Sequence, residues 1–291
     1  MFFFILRAVL AFGVLASGSV LAERFVVYAF SPRAVDPSSI GLDMQEVRLT
    51  SAAGKQIVVW RAPAQPGRPT ILYLHGNAGN LALRHQRFKI ILARGYGLVA
   101  PAYPGSSGST GWPTQALLSD AITQVYQSVS SGRMTGAPTR PIVYGESLGA
   151  AVALQVVTDA RVQPPRAVVL EAPFSSLADV GRSLDSWVRF LTPLLSSEWQ
   201  SLKVAPKLTA PLFVMHGTED ALIPIAQGRA VFEAASSSQK EFYAIQGAGH
   251  LNLWTRQSQR YFFAWIDAHS GGVIHPNVVL RPKLPSRQRS R

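Results

Sequence analysis

The run Pro141-Ile142-Val143-Tyr144 meets Gly145-Glu146-Ser147-Leu148-Gly149, and an Ala/Val/Leu-rich stretch continues to Val157. An apolar run of strand length, a turn bounded by glycines and a helical pattern are compatible with few folds. Gly145 and Gly149 lack Cβ, so neighbouring backbone can crowd against the turn. Ser147 is thereby lifted clear of the sheet, at the start of a helix whose first N–H groups face any negative charge forming there. This is the strand–turn–helix setting of an activated serine. The plain alternative is a Gly-rich turn with an incidental serine, so the rest of the chain has to decide.

From Thr70 onward the same unit recurs. Thr70 to Leu74, Tyr96 to Ala100, Arg166 to Leu170, Pro211 to Met215 and Glu241 to Ile245 read as buried strands. Leu81 to Arg94, Thr114 to Val129, Ala226 to Ala235 and Gln257 to His269 carry apolar residues at helical spacing. Strands alternating with such helices imply an α/β fold, a mainly parallel sheet with helices on both faces. Ahead of it, Met44 to Thr50 and Lys55 to Arg61 flank Ala52-Ala53-Gly54, which predicts an antiparallel hairpin at a sheet edge. One segment breaks the rhythm: 176–209, with Trp187, Phe190, Leu191, Leu194, Leu195 and Trp199, is either a pair of core helices or a short cap over the site.

The ends differ from the middle. Residues 1–22 are apolar apart from Arg7, Ser17 and Ser19, and predict a signal peptide or an N-terminal membrane anchor. Either would place the domain, 23–272, outside the cytoplasm, as a membrane-anchored or periplasmic protein. The tail, 273–291, carries five arginines and lysines and no acid, and reads as disordered. It supplies part of the formal charge of +12. No aromatic residues interleave with it, so nucleic acid is not an expected partner, whereas contact with a membrane surface is. The chain has no cysteine, which excludes disulfides and thiolate catalysis. Neither a Ca²⁺ loop nor a phosphate-binding Gly-Lys-Ser/Thr is present, and no metal or organic cofactor is expected.

A serine hydroxyl needs a base within hydrogen-bond reach and a third group to orient that base. Of the six histidines, His250 has the best setting, in Gly247-Ala248-Gly249-His250 after the last strand. His75 and His216 also follow strands but read as supports for their loops. His85 reads as exposed on a helix, and His269 and His275 end the domain and enter the tail. Glu219 and Asp220 both follow the Pro211–Met215 run, and Asp220 is the preferred acid. Asp120 and Asp159 read as solvated. The order Ser147, Asp220, His250 is the third of the three known chain orders, Ser…acid…His. Acyl transfer also needs donors aimed at a tetrahedral oxyanion. The N–H of Leu148 is one, and the N–H of Asn77, in Gly76-Asn77-Ala78-Gly79, is the expected second.

These blocks together resemble the α/β-hydrolase superfamily and, within it, the serine-aminopeptidase-like and bud-emergence-protein-like group. The likeness lies in Leu72 to Asn80, Tyr103-Pro104-Gly105 with Ser109 and Gly111, Gly145 to Gly149, His216 to Asp220 with Ile223-Pro224, and Gly249-His250. It departs from the group at Ala102, Ser106 and Ser107, where members often have Asp and Tyr-Gly. The resemblance implies an α/β-hydrolase fold and hydrolysis of esters, thioesters or lipid-derived acyl groups, as in esterases, thioesterases and lysophospholipases. A serine peptidase of the aminopeptidase type is the alternative, but no acidic cluster in 176–209 stands ready to hold a free amino terminus. A membrane-associated binding module that kept the fold without chemistry is the reading from another class, and the complete triad argues against it.

Overall fold

The computed structural model describes residues 23–24, 26–184 and 196–269. The expected leader and the basic tail lie outside the described residues, as do Trp187, Phe190, Leu191, Leu194 and Leu195 of the insertion. Strands β1 (Gln45–Thr50) and β2 (Gln56–Ala62) form the hairpin expected at the sheet edge. They are followed by β3 (Thr70–Leu74), β4 (Gly97–Pro101), β5 (Ile142–Glu146), β6 (Ala167–Glu171), β7 (Leu212–Gly217) and β8 (Lys240–Ile245). The eight strands lie in the order β1-β2-β4-β3-β5-β6-β7-β8. β2 runs antiparallel to both neighbours, and β4 to β8 are parallel.

Strands β3, β4, β6 and β7 are buried throughout and β5 up to Glu146, whereas β8 at the edge is half-buried as far as Ala244, and the side chains divide between two cores by simple alternation. Leu72, Leu74, Val143, Val168, Leu170, Leu212 and Val214 point to one face. There α2 (Gln115–Ser130), α3 (Leu148–Val157) and α6 (Ile225–Ala234) cover them. Ile71, Tyr73, Ile142, Tyr144, Val169, Phe213 and Met215 point to the other, against α1 (His85–Leu92) and α7 (Arg256–His269). The exposed edge strand β1 carries Gln45, Glu46, Arg48 and Thr50, polar side chains that discourage pairing with another chain.

Two expectations need correction. The helix predicted over 81–94 starts as a 3₁₀ turn, Leu81–Arg84, and ends at Leu92 before Gly95 turns the chain at φ 79°. The start is tightened because Arg84 swings inward onto the carbonyls of Ala78 and Asn80, 2.5 and 3.3 Å away. His85 is half-buried rather than exposed, with Nδ1 3.0 Å from the Ala82 carbonyl.

The residues after the expected leader take part in the fold. Phe30 bridges Gly79, with Ser31 N–H donating to the Gly79 carbonyl at 2.8 Å. The buried Glu23 carboxylate accepts from the N–H groups of Ser196 and Ser197 at 3.3 and 2.8 Å. Tyr28 O–H lies 2.6 Å from Ser197 Oγ and accepts from Trp199 Nε1 at 2.9 Å. In the insertion, α4 (Leu177–Ser183) and α5 (Ser201–Val204) are short helices. Trp199, Ala205 and Leu208 enter the core beside α3. Among the described residues no helix is long and apolar enough to cross a membrane.

Candidate active site

The chain leaves β3 for β4 on one side and later returns as β5 on the other, so the strand order reverses between β3 and β5. Open α/β sheets form a crevice at the carboxyl end of such a reversal. The loop 75–80 and the Ser147 turn meet there. Gly149 is pressed so closely on β3 that a Cβ would lie 2.1 Å from the Leu74 carbonyl oxygen and 2.8 Å from that of His75. A Cβ on Gly145 would lie 2.4 Å from the Gly149 carbonyl oxygen. These are backbone atoms that cannot step aside. Gly149→Ala is therefore expected to destabilise the protein by about 3 kcal/mol or more. Chemical denaturation checks this, and a loss under about 1 kcal/mol would contradict the contact.

Ser147 pays for its position with φ 53° and ψ −113°, a conformation uncommon for a residue with a Cβ. Its N–H donates to the Glu171 carbonyl at 2.8 Å, which pins the strained turn to β6. From there Oγ reaches Nε2 of His250 at 3.0 Å, and Nδ1 of His250 reaches Oδ2 of Asp220 at 2.8 Å. The sequence places these three residues on three separate loops, and the fold brings all three together.

The acid and base loops are stitched to each other. Glu219 N–H donates to the Ala248 carbonyl at 2.9 Å, and Gly247 N–H to Thr218 Oγ1 at 2.9 Å. A Cβ on Gly217 would lie 2.1 Å from the Ala248 oxygen, so these loops pack at backbone contact. Asp220 itself is buried. Burial would raise its carboxyl pKa, but hydrogen bonds from His216, His250 and the Ile223 N–H outweigh this and hold it below the ordinary carboxylate range. Its Oδ1 accepts from the N–H groups of Leu222 and Ile223 at 3.0 and 2.8 Å. Glu219 contributes its backbone rather than its carboxylate.

The other histidines keep to support. His216 is fully buried, with Nε2 2.8 Å from the Ile223 carbonyl and 3.4 Å from Asp220 Oδ2. A carbonyl only accepts, so Nε2 carries the proton and His216 also faces the acid, a contact the sequence does not reveal. His75 is buried between Phe30 and Tyr103, and burial, with the Arg84 charge, lowers its pKa to about 3. It stays neutral, with Nδ1 2.8 Å from the Gly76 carbonyl. Asp120 and Asp159 lie near the surface, where both approach Arg161.

The N–H groups of Leu148 and Asn77 donate to no protein acceptor among the described residues, which leaves both free for an oxyanion. Asn77 has its side chain engaged with the Val26 carbonyl at 3.5 Å. The loop holds its course without the glycine at 107: Ser107 adopts φ 50°, and its Oγ accepts from Leu81 N–H at 3.0 Å.

A cluster absent from the sequence expectations lies beneath the crevice. Arg84 and Arg87 stand one turn apart and reach Glu146 and Glu171, the last residues of β5 and β6. Arg87 pairs with Glu171 through two bonds of 2.6 and 2.8 Å, and Trp254 Nε1 donates to the same carboxylate at 3.0 Å. Tyr73 donates to Glu146 at 2.7 Å, and Tyr144 to Glu171. Burial would raise the pKa of Glu146, but Arg84 and Arg87 overcome this and bring it down to about 2.

The comparisons with known proteins agree with this architecture. The family model described as alpha/beta hydrolase family matches residues 71–213, and that described as serine aminopeptidase, S33, matches residues 187–254. An uncharacterised protein of Mycobacterium tuberculosis is 31% identical over 232 residues, 78% of this chain and 80% of the relative. The lysophosphatidylserine lipase ABHD12 of Rattus norvegicus is 28% identical over 253 residues, 81% of this chain but 58% of the relative. The Pyrococcus furiosus esterase Pf2001 superposes with a TM-score of 0.68 at 17% identity, over 84% of this chain and 98% of that one, a likeness of fold. The chain belongs to the α/β-hydrolase superfamily.

Proposed function

We propose that the protein is a serine hydrolase of carboxylic esters or thioesters that works through an acyl-enzyme on Ser147. The carrying observation is the unbroken chain from Ser147 Oγ through His250 to the buried Asp220, at 3.0 and 2.8 Å. Ser147 Oγ attacks the acyl carbonyl while His250 Nε2 takes its proton. The resulting oxyanion accepts from the N–H groups of Asn77 and Leu148, at the start of α3, where the helix dipole adds to the attraction. His250 then returns the proton to the leaving alcohol or thiol, and the C–O or C–S bond breaks. A water molecule attacks the acyl-enzyme by the same path in reverse roles. Asp220 fixes Nδ1–H on His250, so that Nε2 is free to accept.

Ester chemistry is favoured by the relative named as a lipase. The test sets p-nitrophenyl esters of increasing acyl length beside aminoacyl-naphthylamides. Turnover of the esters, with kcat/KM at least about 100-fold above the amides, is expected. Faster cleavage of the naphthylamides would instead favour the aminopeptidase reading.

A further inference from the structure

We propose that Arg84, through its paired bond to Glu146, is a positioning residue that sets the spacing between the two oxyanion donors; this rests on the serine-hydrolase reading above. Asn77 and Leu148 belong to different loops, the one after β3 and the one after β5. Their N–H groups converge on one oxygen only if something fixes the first loop against the second. Arg84 does so from below. Its Nη1 donates to the Ala78 and Asn80 carbonyls at 2.5 and 3.3 Å, the residues that flank the turn after Asn77. Its Nε and Nη2 donate to Glu146 at 3.2 and 2.9 Å, a two-pronged pair to the residue directly before Ser147. Gly76 closes the stack: a Cβ there would sit 3.0 Å from Glu146 Oε1 and 3.4 Å from Arg84 Nη2.

One planar guanidinium therefore holds the Asn77 loop by its carbonyls and the serine turn by a carboxylate. A lysine could neutralise Glu146 but could not make both sets of bonds at once. The neighbouring Arg87 binds the Glu171 carboxylate and comes no nearer than 3.8 Å to Glu146, and its side chain makes no hydrogen bond to the 75–80 loop, so the side chain that bonds both donor loops is Arg84.

The experiment compares wild type, Arg84→Met, Arg84→Lys and the double variant Arg84→Met/Glu146→Gln. For each, Tm, kcat and KM on a p-nitrophenyl ester are measured. So are inhibition constants for a trifluoromethyl ketone, which forms an oxyanion on the serine, and for the methyl ketone of equal chain length. Arg84→Met is expected to lower kcat about 10- to 100-fold and to weaken the trifluoromethyl ketone in parallel. KM and the methyl ketone should change by less than about threefold. The double variant removes the stranded carboxylate, so it should regain Tm but not kcat. Arg84→Lys should fold and still lose kcat, which keeps the test alive if Arg84→Met does not fold. Recovery of kcat along with Tm in the double variant would overturn the proposal, as would wild-type kcat in Arg84→Lys. A wild type that turns over no ester and takes no acyl group on Ser147 would instead remove the hydrolase reading, and this proposal with it.

Discussion

Ser147→Ala is expected to lower ester turnover by about 10⁵–10⁶-fold, because the oxygen placed for attack beside His250 is gone. The fold should scarcely notice. The substitution loses one hydrogen bond, to His250 at 3.0 Å, a change of about 1 kcal/mol at most. A second variant separates the serine's chemistry from its geometry. Ser147 sits at φ 53°, and glycine reaches that conformation without a Cβ clash. Ser147→Gly should therefore be as inactive as Ser147→Ala yet more stable than it, by about 1 kcal/mol after the glycine's extra chain entropy. That corresponds to about 2–4 °C in Tm for a domain of this size. Equal Tm values for the two variants would mean that the turn stores no strain.

Asp220→Asn should be nearly as damaging, with kcat lower by about 10⁴-fold. The direction follows from which oxygen does what. Oδ1 of Asp220 accepts from the backbone N–H groups of Leu222 and Ile223. An asparagine must keep its carbonyl oxygen there, because two fixed donors point at it. Its NH₂ then falls where Oδ2 was, facing His250 Nδ1. A donor opposite Nδ1 forces the proton onto Nε2, and Nε2 can no longer take the proton of Ser147. His216 Nε2–H, 3.4 Å from that position, would prefer an acceptor there, but its proton is already given to the Ile223 carbonyl at 2.8 Å, whereas two backbone donors hold Oδ1. Steady-state kinetics on the folded variant checks the claim. A kcat within about tenfold of wild type would mean that Asp220 does not set the tautomer.

How much of this can be read without coordinates depends on how far apart the partners lie. Strand ends and the hairpin are local features, and Thr70–Leu74 matches its apolar run residue for residue. The serine turn is also local, because Gly145 and Gly149 announce close backbone approach. The triad is distant in sequence but each member sits after a strand, and parallel strands deliver their carboxyl ends to one edge. The buried ion pairs follow no such rule. Arg84 and Arg87 fall within the helix predicted over 81–94 and look like a solvated face, and Glu146 looks like the variable position of the serine turn. Their burial arises only when the ends of β3, β5 and β6 converge over α1, with partners 62 and 84 residues apart. The one available hint is a carboxylate ending each of two wholly apolar strands, at Glu146 and Glu171. The contact of Glu23 and Tyr28 with 196–199 is likewise out of reach, since its partners are about 170 residues apart.

The serine turn carries the central claim, and one measurement addresses it directly. Wild-type protein is treated with a fluorophosphonate, digested and mapped by peptide mass. One phosphonyl group is expected, on the peptide containing Ser147, with Ser147→Ala unlabelled under the same conditions. Labelling of Ser147→Ala to the wild-type extent, or an adduct on any other residue of the wild type, would contradict the account.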